Sequence, residues 1–147
     1  MKATSESTWT FQMIILFMLI FAAFLALTLQ YSKAYSVKNR LLTIIEKHEG
    51  VTPASIDIMN SYAREKSYTT KAYCPEGWYG ALTDSNEIVV ADGGMQYNYC
   101  YKKNRTENGY YYYDLILFYR FNLPVIGSIG LYQIKGSTKQ FIGNDLI

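Results

Sequence analysis

Residues 11–29 read FQMIILFMLIFAAFLALTL, a run whose only strongly polar side chain is Gln12, and no charge stands between Glu6 and Lys33. At 1.5 Å per residue a helix over this run is about 28 Å long, close to the roughly 30 Å hydrocarbon thickness of a bilayer. The pattern predicts a transmembrane helix over residues 9–31, preceded by a short flank of residues 1–8. Phe11 and Leu29 bound the apolar run. Trp9 at one end and Tyr31 with Tyr35 at the other put amphipathic rings where headgroups would lie, and Lys33 follows within snorkelling reach. Ser32-Lys33-Ala34 also reads as a signal-peptide cleavage site, but the apolar run exceeds the usual core of roughly 7–15 residues, which favours an uncleaved anchor.

Beyond the span the spacing becomes amphipathic. Residues 31–49 contain no Pro or Gly, and Ala34, Val37, Leu41, Ile44 and His48 recur at helical intervals. Val37, Leu41 and Ile44 are the expected packing stripe, widened by Leu42 and Ile45, with Lys38, Arg40, Glu46 and Lys47 on other faces. Gly50 stands where a left-handed cap would end the helix. The anchor is therefore expected to continue outward as one rod, with a helix over 32–49. Thr52-Pro53 then supplies an N-cap and a first-turn proline for a second helix over 53–66, with Asp57 near its positive end and Ile56, Met59 and Ala63 on one side.

From about residue 71 the period shortens to two. Residues 87–91 form a β-branched run, Tyr97, Tyr99 and Tyr101 alternate with polar neighbours, and Asp92-Gly93-Gly94 between them predicts a hairpin. Asn108-Gly109 is a tight-turn signal, although the polar residues 102–107 before it also suit a longer loop. A long strand over 110–122 would carry Tyr111, Tyr113, Leu115, Leu117, Tyr119 and Phe121 on one face and Asp114 and Arg120 on the other. Leu123-Pro124-Val125-Ile126-Gly127 breaks it, and alternation resumes over 130–142. The expected fold is α+β and pilin-like: an N-terminal transmembrane helix continuing as an amphipathic helix, packed on an antiparallel sheet of four or five strands within residues 71–142, in a domain spanning 32–147.

Composition narrows the function classes. The chain has 147 residues, with 14 Lys plus Arg against 12 Asp plus Glu and a net charge of +2, too weak a field to draw in nucleic acid. Cys74 and Cys100 are the only cysteines. An even pair suits an exported domain with one disulfide, and two buried free thiols remain the alternative. Charge around the span conflicts with export, since Lys33, Lys38 and Arg40 follow it and only Lys2 and the α-amino group precede it; by the positive-inside rule these would hold the domain in the cytoplasm.

Candidate chemistry is sparse. His48 is the sole histidine, so a His-based metal cluster cannot form, and Cys74-Pro75 lacks the partner cysteine of a redox motif. Asp84, Asn86, Glu87 and Asp92 lack the glycine and distal Glu of a calcium loop. Gly93-Gly94 has no phosphate-loop continuation, and Asn104-Arg105-Thr106 matches a glycosylation sequon. No catalytic residue, cofactor or metal site is expected. The conspicuous surface is Tyr110, Tyr111, Tyr112 and Tyr113, whose rings must point to both faces of a strand: two into the core, two into an interaction surface.

The order of parts, a polar N-terminus, a span continuing as an amphipathic helix and a small sheet with paired cysteines, resembles pilin-type and pseudopilin-type proteins. Tyr119-Arg120-Phe121-Asn122-Leu123-Pro124-Val125-Ile126-Gly127, followed by Leu131-Tyr132-Gln133-Ile134-Lys135-Gly136-Ser137-Thr138, is similar to the closing strands of TadE-like proteins. There a strand ends in a Leu-Pro or Ile-Pro step before a last strand with small hydroxyl residues. Glu6 matches the Glu that opens the span in prepilins of this type, although no Gly precedes it. The resemblance implies a non-enzymatic minor component of a tight-adherence (Flp-type) pilus or secretion apparatus. It would be a single-pass cell-membrane protein with its C-terminal domain extracytoplasmic, whose partners are membrane lipid, other pilin-like or secretion-apparatus membrane proteins and further copies of itself. A signal-anchored extracytoplasmic binding protein with a Tyr-rich ligand surface is the alternative.

Overall fold

The apolar run and the amphipathic stripe form one uninterrupted helix, α1 (Lys2–Lys47), of 46 residues and therefore about 69 Å long. The structure, a computed structural model, describes residues 2–85, 87–91 and 93–143. The helix begins inside the expected polar flank, where Thr8 and Thr10 donate their hydroxyl protons to the carbonyls of Thr4 and Glu6 one turn back. Its other end differs from expectation in one detail. The left-handed residue is Glu49 (φ 52°), one position before Gly50 (φ 151°). Glu49 N–H donates to the Glu46 carbonyl and Gly50 N–H to that of Ile45, the paired closure that places the left-handed residue directly after the helix.

Helix α2 (Pro53–Glu65) starts as the sequence predicts. Ser55 N–H donates to Thr52 Oγ1 at 3.2 Å, Thr52 N–H donates to Ser55 Oγ at 2.8 Å, and Pro53 opens the first turn. Ile56, Met59 and Ala63 are buried. At its end Ser67 turns left-handed (φ 52°) and Tyr68 N–H donates to the Ala63 carbonyl, which drops the Tyr68 ring into the core.

Among the described residues six antiparallel strands make one open sheet: β1 (Tyr79–Ala81), β2 (Ile88–Val90), β3 (Tyr99–Arg105), β4 (Tyr110–Leu123), β5 (Gly127–Ser137) and β6 (Phe141–Ile142). Their order is β2-β1-β3-β4-β5. β6 pairs with Tyr110 and Tyr111 of β4, beyond the end of β5. Thr138 bridges the interruption, its Oγ1 accepting Tyr113 N–H, while Lys139 N–H donates to Glu46 Oε1 of α1. The α+β expectation holds, with α1 and α2 against one sheet face.

The hairpin expected between residues 87–91 and 97–101 does not form. β1 lies between them, pairing Tyr79 with Val90 on one side and with Tyr101 on the other. Asp92 of the expected turn, like Asn86, lies outside the described residues. Three residues, Tyr-Gly-Ala, are too short to show a period, and what fits them to the gap is Gly80. A Cβ there would stand 2.3 Å from Cγ of Tyr97, whose ring lies on the strand backbone. Gly80→Ala is therefore expected to cost about 2–3 kcal/mol, because the collision is with the root of a buried ring and not a flexible tip; a denaturant midpoint unchanged from wild type would refute it.

Alternation also breaks at Asn98. This buried side chain accepts Thr83 N–H at 3.0 Å and donates to the Thr70 carbonyl. Tyr97 consequently shares the Cys100 side of the sheet, while Tyr99 and Tyr101 face the helices. Two apolar layers result. Between helices and sheet lie Val37, Leu41, Ile44, Ile45, Met59, Tyr99, Leu115, Leu117 and Ile134. Under the other face lie Ala72, Cys74, Tyr97, Cys100, Ile116 and Phe118, covered by Trp78 and Leu82. Ile116 and Phe118 share the strand face that the sequence marks as polar by Asp114 and Arg120, yet both are fully buried. Lys38, expected on a polar face, is also buried; its stem passes over Gly136 and its ammonium reaches the Tyr35 ring at 4.1 Å.

Burial pushes the phenols of Tyr68, Tyr99 and Tyr101 above the ordinary tyrosine range, and Tyr99 Oη donates to Asn60 Oδ1 at 2.9 Å. Because the folded state holds these protons more tightly than the unfolded chain, their contribution to stability is complete below pH of about 10 and is lost as pH rises beyond it. Absorbance at the tyrosinate band should thus show a late class of tyrosines ionising together with the loss of near-UV circular dichroism. Smooth titration of all the tyrosines with the fold intact would contradict this.

Candidate functional site

Helix α1 divides into two halves. From Thr4 to Gln30 the described side chains are exposed except at Ala23, Ala26, Leu27 and Gln30, which are half-buried. Trp9 and Phe11 are each 64% exposed and Leu29 is 70% exposed. The helix is long and apolar enough to cross a membrane, and none of its apolar window is buried in the domain. From Ala34 onward the same helix carries core residues, and Val37, Leu41 and Ile44 are buried against the sheet as the stripe predicts.

Where the two halves meet, the end of β4 comes down beside the helix. Asn122 N–H donates to Gln30 Oε1 at 2.6 Å and Gln30 Nε2 donates to the Asn122 carbonyl. The Gln30 amide thus satisfies both backbone groups of a residue that β3 is too short to reach. Around this staple lies an aromatic cluster. Tyr31 meets Tyr119 edge-on at 6.3 Å, Tyr119 stacks on Tyr132 at 5.8 Å, and Phe121 touches both Tyr119 (5.1 Å) and Tyr132 (5.0 Å). Burial, followed by the neighbouring phenols of Tyr31 and Tyr132, raises the Tyr119 pKa. An open groove of about 360 Å³ runs between α1 and β4, lined by Gln30, Lys33, Tyr68, Tyr119, Arg120 and Asn122 among others. It presents two cations and several hydrogen-bonding groups at the base of the apolar helix.

Cys74 and Cys100 are bonded, their Cα atoms 5.8 Å apart, across a separation of 26 residues. The bridge straps the segment after α2 to β3 and seals the second apolar layer. Tyr110 to Tyr113 do not make one surface. Tyr113 is buried on the helix side and Tyr111 half-buried beside it, its Oη donating to the Glu49 carbonyl. On the opposite face Tyr110 is 39% exposed and Tyr112 half-buried. All four lie at the end of the sheet remote from the apolar helix.

The remaining sequence candidates have local partners. His48 Nδ1 lies 2.9 Å from the Ile44 carbonyl, a bond within the last turns of α1. Asp84 pairs with Lys71 Nζ at 3.0 Å, and Asn104 of the sequon is half-buried and donates to Asp114. Among the described residues no three His, Cys, Asp or Glu side chains are placed to share a metal ion. Sequence reasoning passed over Gln30 and gave Tyr132 a place in the last strand but no part in a site. Their signal was weak: a polar residue closing an apolar run, and an aromatic in an alternating strand.

No protein-family model, curated protein or solved structure matches the chain. The functional reading therefore rests on the residues and their geometry.

Proposed function

We propose that this chain is a single-pass membrane protein that acts by assembly, a pilin-like structural subunit of a bacterial pilus or secretion apparatus, with its sheet domain on the extracytoplasmic side. The observation that carries this reading is the division of α1 into a bare apolar half and a half built into the core, without a break between them. A rigid helix of that kind holds its domain at a defined height and rotation relative to whatever packs on the bare half, lipid or neighbouring helices. The Cys74–Cys100 disulfide supports an oxidising compartment for the domain. The ligand-binding alternative has less support, since Tyr110 to Tyr113 divide between two sheet faces.

The test combines two measurements on protein extracted from its native membrane. Intact mass should rise by the two hydrogens of one disulfide on reduction, and benzoylphenylalanine in place of Phe17 should photo-crosslink to a second copy or to another single-span protein. A mass unchanged by reduction would place the domain in a reducing compartment. Crosslinks to lipid alone would leave an anchor without assembly.

A further inference from the structure

The β4–β5 hairpin ends in Leu123-Pro124-Val125-Ile126-Gly127, and no charge occurs between Arg120 and Lys135. Val125 is 95% exposed and Ile126 is 71% exposed. Two such side chains at a loop tip have no folding role, so their surroundings are the question.

Their position answers it. β4 runs antiparallel to α1: Tyr111 reaches Glu49 near the far end of the helix, Tyr119 meets Tyr31, and Asn122 is stapled to Gln30. The hairpin tip therefore continues past Gln30 along the apolar half of α1. Leu123 is the last paired residue of β4 and residues 124–126 make the turn, so the tip stands only a few ångströms beyond Asn122, on the Leu29 side of Gln30. The half-buried residues Ala23, Ala26, Leu27 and Gln30 repeat at intervals of three, one and three, the helix face that continues into Ala34, Val37 and Leu41.

Backbone conformation adds an independent observation. Val125 has φ 75°, a region that a β-branched residue enters at a cost and that Gly or Asn enters easily. A turn facing water gains nothing from valine there. Pro124 lacks an N–H and the flanking pairs Asn122↔Ser128 and Leu123↔Gly127 close the ladder down to the turn, so few backbone donors are left for an apolar medium. Above the tip, Tyr31, Tyr119, Phe121 and Tyr132 form a ring cluster flanked by Lys33 and Arg120, the arrangement of rings and cations that suits a headgroup layer.

We propose that the β4–β5 hairpin tip is a second membrane contact, with Val125 and Ile126 embedded in the acyl region of the leaflet on the domain's side, beside α1. This rests on the reading that α1 spans the bilayer. Anchored at two points, the domain cannot swivel about its helix, and its outer surface is presented in one orientation.

The experiment uses the full chain in phosphatidylcholine and phosphatidylglycerol vesicles containing nitroxide-labelled lipid. Because the native cysteines are bonded, an environment-sensitive fluorophore is attached to one new thiol in each of three variants: Val125→Cys, Phe17→Cys within the span, and Glu107→Cys in the β3–β4 turn at the opposite end of the sheet. The label at position 125 should be blue-shifted and lose roughly half or more of its emission to the lipid nitroxide, as at position 17, while that at 107 stays unquenched. If position 17 is quenched and 125 behaves like 107, the hairpin is outside the bilayer and the proposal fails while the spanning reading stands. If neither is quenched, the spanning reading fails and takes the proposal with it. A label at 125 that is blue-shifted but unquenched lies against protein, as in contact with a second copy, and also overturns the lipid assignment.

Discussion

Replacing Val37, Leu41 and Ile44 together with serine is expected to leave the sheet domain unfolded while α1 still inserts into membranes. The three side chains are 1%, 0% and 4% exposed, and they share a core with Leu115, Leu117 and Ile134 of the sheet. Truncating one buried aliphatic side chain of this size costs about 2–5 kcal/mol, and each serine also buries a hydroxyl. Three such changes remove on the order of 6–15 kcal/mol, comparable to the whole stability of an ordinary domain. The helix does not unwind with the domain, because residues 11–29 meet the requirement for a span without help from the sheet. Limited proteolysis of the protein in vesicles would read the difference: rapid cleavage throughout residues 53–143, with the N-terminal segment protected. Leu41→Ala alone should give a graded loss of about 2–4 kcal/mol. A triple variant that resists protease as well as wild type would show that the helix is not the lid of this core.

Removing the disulfide should produce the second largest effect. Opening a loop of 26 residues is worth about 3.5 kcal/mol in the chain-entropy description, which corresponds to a fall in Tm on the order of 10–15 °C for a domain of this size. The consequence is local as well as global. The segment before β1 reaches the sheet through the Ala72–Tyr97 bridge and the Cys74–Cys100 bond, so without the bond it can lift from Ile116 and Phe118. Cys74→Ser with Cys100→Ser should melt early and be cut first between residues 67 and 78. Equal melting temperatures with and without reductant would mean that the second apolar layer holds itself.

The legible parts of this protein were those written in periodicity and end signals. Nineteen residues without a charge, a stripe at intervals of three and four, Thr52-Pro53 before α2, and Asn108-Gly109 between β3 and β4 each act within one or two turns of chain. Local physics determines such features, because the relevant partner is a neighbour in sequence or an isotropic medium such as lipid. The packing stripe at Val37, Leu41 and Ile44 was legible for the same reason. The pairing partner of the Tyr-rich strand was not. Residues 87–91 look like its hairpin mate, but β1 takes that edge, because Gly80 fits under the Tyr97 ring and no short-range rule records a fit between residues 17 apart. Nor did alternation reveal that Ile116 and Phe118 are covered on the face of Asp114 and Arg120, since the cover is a segment brought there by a bond to Cys100. The junction of Gln30 with Asn122 joins residues 92 positions apart. A single sequence carries the period of each element but not the register between elements, which is set by side-chain volumes meeting in space; the apolar helix and the stripe were therefore readable from the chain, and the junction of the β4 end with that helix was decided only by the tertiary structure.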